Sequence, residues 1–421
     1  MRGTTTALMT LLLASGFAAS VVADETEVVE QPAEETGRLT LRWDTQVILD
    51  VNRDHVRYLT NDESVLIAQS SSGLVTALNA EDGRRYWARQ VGFNDEASFR
   101  AATSLQHVLI TTGPEVHSLD KFTGTELFSY RLPRQPSVGP AVDEGSFFVP
   151  FMDGSIGGFS FSTLEHLEKF GTLPAGIAKS MAWRFVSNEE IHLRPVVGTG
   201  TVAFATELGN IHGLHASGTN GGHSLYQLLV KHRIVAPLSV ARTPEDEFLI
   251  FATDEDIVTC VKMFNGRMMW TYPMGRAVDD DIVIVGDNVY VVTQGEGLSS
   301  LSLSRGRLSP TPTGPWFVPD VDSVAAVSAT RVYAVDNTMH LLVVDRETAE
   351  IRDRIYLGEE TNVLGNPLTD RVYLYSNSGR VRCFAEEGSS FATYHQRPDR
   401  QPVMPGVPDV DPVEEVDESG F

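Results

Sequence analysis

Cysteine is nearly missing from this chain: 421 residues carry two, Cys260 and Cys383. A disulfide-stapled framework is thereby excluded, because such scaffolds place several pairs in a short chain. The chain has no Cys-x-x-Cys-His, no Gly-x-Ser-x-Gly and no His-Glu-x-x-His. Haem attachment, a hydrolase nucleophile elbow and a zincin helix therefore have no basis in it. Basic residues are scarce, 33 Lys and Arg against 56 Asp and Glu, for a formal charge of -23. That balance disfavours nucleic acid and anionic membrane surfaces as partners. Long apolar runs are absent after the first two dozen residues, which predicts no transmembrane segment. What remains is ordinary for a globular body: 42% hydrophobic and 21% charged residues.

The ends differ from the middle. Residues 7–19, "ALMTLLLASGFAA", form an uncharged apolar core after Arg2, and "VVA" places small residues before Asp24 and Glu25. This is the pattern of a cleaved signal peptide over residues 1–23, and it predicts a periplasmic or secreted protein. Residues 24–36 read as an acidic linker, with carboxylates at Asp24, Glu25, Glu27, Glu30, Glu34 and Glu35. Residues 397–421 end in "QPVMPGVPDVDPVEEVDESGF", Pro-rich and acidic. Such a segment buries too little apolar surface to offset its ordering entropy, so it reads as a disordered tail.

Between the ends one unit recurs. "VLIAQSSSGLVTALNAEDGRRYW" starts at Val65 and "VLITTGPEVHSLDKFTGTELFSY" at Val108; related stretches start at Phe147, Val202, Phe248, Val289, Val332 and Val372. Each has a β-branched or aromatic run, a polar turn, an alternating run, a second turn often ending in Gly, and a third run carrying an aromatic or Leu. The second-turn glycines include Gly83, Gly124, Gly266 and Gly306. A short apolar run precedes each unit, as in "HVRYLT" from His55. Period-two alternation at this turn spacing is a meander of four antiparallel strands, and 40 to 45 residues is the period of a propeller blade. The last unit lacks its third run. "GRLTLRWDTQ" at residues 37–46 has no hairpin of its own and matches "GRRYWARQ" at 83–90. The sequence thus predicts an all-β, eight-bladed propeller over 37–396, with the strand around Trp43 completing the last blade and sealing the ring.

Aligned second runs place Ala77, Ser118, Gly158, Gly213, Cys260, Ser300, Val343 and Cys383 at one position. Nearly all are small, as expected where a strand midpoint faces the next sheet. Both cysteines are then packing residues. They fall three blades apart, beyond the roughly 7 Å Cα separation a disulfide spans, and are expected as buried free thiols.

The repeat resembles the pyrroloquinoline-quinone-type β-propeller family. The match is carried by "GLVTALNAEDGRRYW" (73–87), then by "VHSLDKFTGTELFSY" and "IVTCVKMFNGRMMWTY". The resemblance implies the eight-bladed fold, with Trp43, Ala77, Gly83, Trp87, Gly124, Cys260, Gly266, Trp270 and Cys383 as structural positions. For function it implies one of two groups: quinone-dependent dehydrogenases, or non-catalytic propellers of outer-membrane assembly. The dehydrogenases carry adjacent cysteines, a Ca²⁺ held by Glu, Asn and Asp, and long insertions. Here Cys260 and Cys383 are far apart and the chain is almost bare repeat, its largest spare segment lying near 171–192.

Other candidates give no converging set. Asp279, Asp280 and Asp281 are consecutive, and neighbours on a strand point to opposite faces, so they read as a solvated turn. His212 and His215 are an odd number apart on one strand and diverge for the same reason. "GTNGGHS" (218–224) lies in a blade turn, where phosphate cradling lacks its strand-to-helix context. "SMAWRF" (180–185) offers Trp183 and Phe185, in a loop that either anchors a partner or packs back on the ring. The sequence therefore predicts a non-catalytic, monomeric protein- or peptide-binding scaffold of the cell envelope, with no cofactor, no metal and no nucleic acid. The alternative is a divergent quinone-dependent or other cofactor-binding oxidoreductase.

Overall fold

In the computed structural model, residues 38–50, 53–93, 96–171, 180–278, 280–359 and 361–396 are described. The signal peptide (1–23), acidic linker (24–36) and tail (397–421) lie outside the described residues.

Eight four-stranded antiparallel sheets follow one another along the chain. Blade 1 is Val56–Asn61, Val65–Ser70, Leu74–Asn79 and Arg85–Gln90. Blades 2 to 7 occupy 102–131, 141–186, 196–229, 239–273, 283–319 and 321–356. Blade 8 is Thr361–Leu364, Val372–Ser376, Arg380–Glu386 and then Leu39–Gln46 from the other end of the chain. Trp43 pairs with Cys383, Leu39 with Glu386 and Gln46 with Arg380. The ring is closed as the repeat predicted, and the bidentate contact of Arg380 with Asp44 at 2.5 to 3.0 Å adds a side-chain clasp on the seam.

In most blades the second and third strands are buried on both faces, which is why they read as dense apolar runs, whereas Arg380–Glu386 of blade 8 alternates. First strands of neighbouring blades touch one another, and that places them innermost around the axis. The apolar core is not one body. It is eight clusters, each lying between consecutive blades around the ring, including one joining blade 8 to blade 1.

Blades 3 and 6 depart from the repeat. In blade 3 the stretch "FSTLEHLEK" is helix α1 (Phe161–Lys169), not a third run of strand. Ser160 caps its first turn, and Phe161 and Leu164, three apart on one face, are buried against blades 2 and 3. The outer strand of that blade is Trp183–Val186, so Trp183 and Phe185 are strand residues packed on blade 4 and not a protruding loop. In blade 6 a small ribbon, Pro310–Thr311 with Gly314–Pro315, precedes the outer strand Phe317–Pro319.

Candidate functional site

The structural positions singled out in the sequence meet at the blade joints. Each of the five tryptophans lies on or beside an outer strand and donates its indole N–H to a carbonyl of the next blade. Trp43 reaches Ala80 O at 3.0 Å, Trp87 reaches Lys121 O at 2.9 Å and Trp183 reaches Ala216 O at 2.9 Å. Trp270 reaches Leu303 O at 2.6 Å and Trp316 reaches Arg346 O at 2.8 Å. The turn glycine of the next blade lies flat on the ring. A Cβ on Gly83 would sit 2.6 Å from Trp43, on Gly124 2.6 Å from Trp87, and on Gly306 2.3 Å from Trp270. Gly266 packs on Tyr226, which takes the tryptophan's place in blade 4. These glycines also hold φ between +62° and +70°, where a side chain is strained.

The small residues lie under the same rings. Ala77 pairs with Trp87, Cys260 with Trp270 and Cys383 with Trp43. A Cβ on Gly158 would be 2.2 Å from Trp183, and one on Gly213 2.2 Å from Tyr226. The crowding thus comes from the aromatic of the blade's own outer strand and not from the facing sheet. In blade 7 the partner is Asp353 and the slot holds Val343. Cys260 and Cys383 are buried and free. Burial pushes the Cys260 thiol up to about 12 and raises Cys383 as well, so neither is poised as a nucleophile.

The turns joining strands 1–2 and 3–4 of the blades share one face, called the lower face. A cavity of about 920 Å³ opens there, walled by the 1–2 turns of blades 1 to 4. Two of its wall carboxylates, Asp62 and Asp143, are committed to their own turns, and Glu247 nearby links blade 5 to blade 4. Asp62 accepts the Ser64 and Val65 N–H groups and pairs with Lys121 at 2.6 Å. Asp143 accepts those of Gly145 and Ser146, and burial still holds its pKa above the usual carboxylate range. Glu247 accepts Thr199 N–H at 2.6 Å and Arg242 Nε at 3.0 Å. Residues 389–396 cross the cavity mouth as a strap, a feature without a sequence signature. Ala392 N–H binds Glu81, Thr393 N–H binds Asp370, His395 N–H binds Leu368 O, and Gln396 accepts from Arg242 of blade 5.

At the opposite end of the axis, Arg194 donates to Pro140 O at 2.8 Å. Burial and the neighbouring Arg100 draw its pKa down to about 10, which leaves it charged at neutral pH. Asp281, from the acidic triplet, is raised by burial and opposed by Arg100. Asp279 lies outside the described residues. His212 is buried and stacked on Phe204, with ring centroids 5.1 Å apart, whereas His215 is only partly buried.

The upper face carries the 2–3 turns and the links between blades. Its exposed apolar residues are densest across blades 2 to 4, although Ile48 (47% exposed) in the link from blade 8 to blade 1 and Tyr356 (60%) at the end of blade 7's outer strand lie elsewhere on it. Phe93 (81% exposed) lies in the link from blade 1 to blade 2, Met152 (63%) in the turn of blade 3 and Leu208 (64%) in the turn of blade 4. Val186 and Leu229 end the outer strands of blades 3 and 4 at the same edge. The matching turns of blades 1, 5, 6, 7 and 8 carry Ser71–Ser72, Asp254–Glu255, Gln294–Glu296, Asn337–Thr338 and Asn377–Ser378. On the lower face, exposed Phe122 and Phe170 instead lean on Tyr86 and His166.

The architecture defines a class: eight-bladed propellers whose blades are locked by tryptophan docking. Residues 71–220 and 231–391 match the family described as outer membrane protein assembly factor BamB, and the chain belongs to that family. No curated protein matches the chain in sequence. Among solved structures, BamB from Moraxella catarrhalis superposes with a TM-score of 0.60 at 15% identity, covering 84% of this chain and 99% of that one. The computationally designed Ika8 protein superposes with a TM-score of 0.59 at 12% identity, covering 79% and 96%.

Proposed function

We propose that this propeller is a non-catalytic docking platform of the cell envelope, and that it holds an exported protein partner against the upper face of blades 2 to 4. The observation that carries the reading is the arc of Phe93, Met152, Val186, Leu208 and Leu229, five exposed apolar groups on neighbouring blades, where the rest of the upper face has the separate Ile48 and Tyr356 among polar turns. Exposed apolar groups clustered on a rigid body mark a surface that is covered in use. Family membership supports a partner from outer-membrane protein assembly. Asp62 and Asp143 of the lower cavity are bound by their own turns, a geometry suited to rigid walls more than to proton transfer.

A photo-crosslinking residue placed at Met152, Leu208 or Phe93 in the full chain tests this in intact cells. The expected outcome is a single crosslinked partner, shared by the three positions and identified by mass spectrometry as an envelope-assembly component. The same probe at Glu347, in a lower turn of blade 7, is expected to give none. Equal crosslinking from both faces, or none from the arc, sinks the reading.

A further inference from the structure

Glu190 and His192 lie in the link between blades 3 and 4, and Glu207 lies in the upper turn of blade 4. One ligand atom from each falls within 4.8 Å of the other two. His192 Nε2 is 3.2 Å from Glu190 Oε2 and 3.8 Å from Glu207 Oε2. Donors on a tetrahedral ion with bonds near 2.0–2.2 Å stand about 3.3 Å apart, so these separations already approach a coordination shell. Among the described residues no lysine or arginine lies within ion-pair distance of either carboxylate.

The joint between blades 4 and 5 supplies an internal contrast. There His232 also meets two acids, but Nδ1 faces Asp254 at 3.8 Å and Nε2 faces Glu255 at 3.4 Å. Acids on opposite nitrogens of one ring cannot converge on a common point. At His192 both acids share Nε2, and they can. The two segments are also fixed to each other without help from an ion. Glu207 N–H donates to Glu190 O at 2.8 Å, and Glu189 accepts Asn210 Nδ2 at 2.8 and 2.9 Å together with the Thr206 hydroxyl. The backbone on both sides of the cluster is thus held in place before an ion binds.

We propose that Glu190, His192 and Glu207 form a divalent transition-metal site, of the Zn²⁺, Co²⁺ or Ni²⁺ class. One imidazole and two carboxylates suit these ions better than Ca²⁺ or Mg²⁺, which take oxygen ligands. The site is exposed, so a fourth position stays open to water. It stands beside Leu208 of the apolar arc, yet it is independent of the docking reading because it is measured on the isolated protein.

The experiment titrates Zn²⁺ into untagged, chelator-treated protein by calorimetry, with Co²⁺ absorption as a second readout. One ion per chain is expected. Even outer-shell partners of metals are worth about 10- to 100-fold in affinity. His192→Ala and Glu207→Gln are therefore each expected to weaken binding at least that much, while His232→Ala leaves it unchanged. Failure of the wild type to bind overturns the proposal. So does binding by His192→Ala with wild-type affinity, or a loss in His232→Ala equal to that in His192→Ala. Circular dichroism of the variants separates lost binding from lost fold.

Discussion

A tryptophan in this ring does two jobs at once, and the glycine beneath it explains both. The indole N–H of Trp87 satisfies Lys121 O, a buried carbonyl at the start of the next blade's turn. Its ring face lies where the Cβ of residue 124 would be. Gly124→Ala therefore forces a 2.6 Å contact and an alanine at φ +69°. Gly145→Ala meets nothing within 4 Å and needs no positive φ. We expect the first to destabilise by about 1–3 kcal/mol and the second to stay near neutral. Trp87→Phe keeps the ring but orphans Lys121 O, and should lose about 1–3 kcal/mol as well. Equilibrium urea unfolding of the three variants checks the order, and equal stability of Gly124→Ala and Gly145→Ala would refute the docking account. The same rule admits its own exception. Ala349 holds φ +62° in the 3–4 turn of blade 7, the turn whose Arg346 carbonyl accepts Trp316, so one methyl is accommodated at that joint.

Among the elements, the strap over the lower cavity depends most on pH. His395 is half-buried beside blade 8, and desolvation holds its pKa below the ordinary imidazole value against the opposing pull of Asp370. His107 and His212 are lowered by burial too. A histidine depressed in the fold contributes its full stability above the unfolded pKa near 6.5. As pH falls below that value the unfolded chain takes up the proton first, and stability is lost until the folded pKa is reached. Denaturant midpoints should thus fall as pH drops below about 6.5, and fall less in His395→Gln. A wild-type midpoint that is flat below that pH would contradict the burial. The strap was invisible in the sequence because it is held by irregular backbone contacts to Glu81, Asp370 and Leu368, which leave no period. The closing strand was legible, since Trp43 precedes Gln46 by the same step as Trp87 precedes Gln90. Helix α1 was misread as strand because Phe161, Leu164 and Leu167 also satisfy a loose apolar pattern, and the cap at Ser160 is a single residue. The apolar arc and the His192 cluster escaped notice for one reason. Their members lie on separate loops, and only blade stacking brings them together.

At the scale of the whole molecule, eight apolar clusters sit at eight joints, so stability is spread evenly around a circle and no joint is spare. A ligand must then use a face or the axis. The quinone-dependent relatives of the repeat need a roomy, cation-bearing site on such a face. Here the lower cavity is bordered by Tyr394 and Gln396 of the strap, and its Asp62 and Asp143 are spent on turns and on Lys121. The cavity keeps about 920 Å³ with the strap in place, so it is not room but free carboxylates for a cation that it lacks. Pyrroloquinoline quinone with Ca²⁺ is therefore expected to leave the melting temperature unchanged. A ligand present at about a hundred times its Kd would add about 2.7 kcal/mol and shift the melt visibly. A shift of that size, abolished by Asp143→Asn and unaffected by His192→Ala, would place a cofactor in the lower cavity and return the chain to the oxidoreductases.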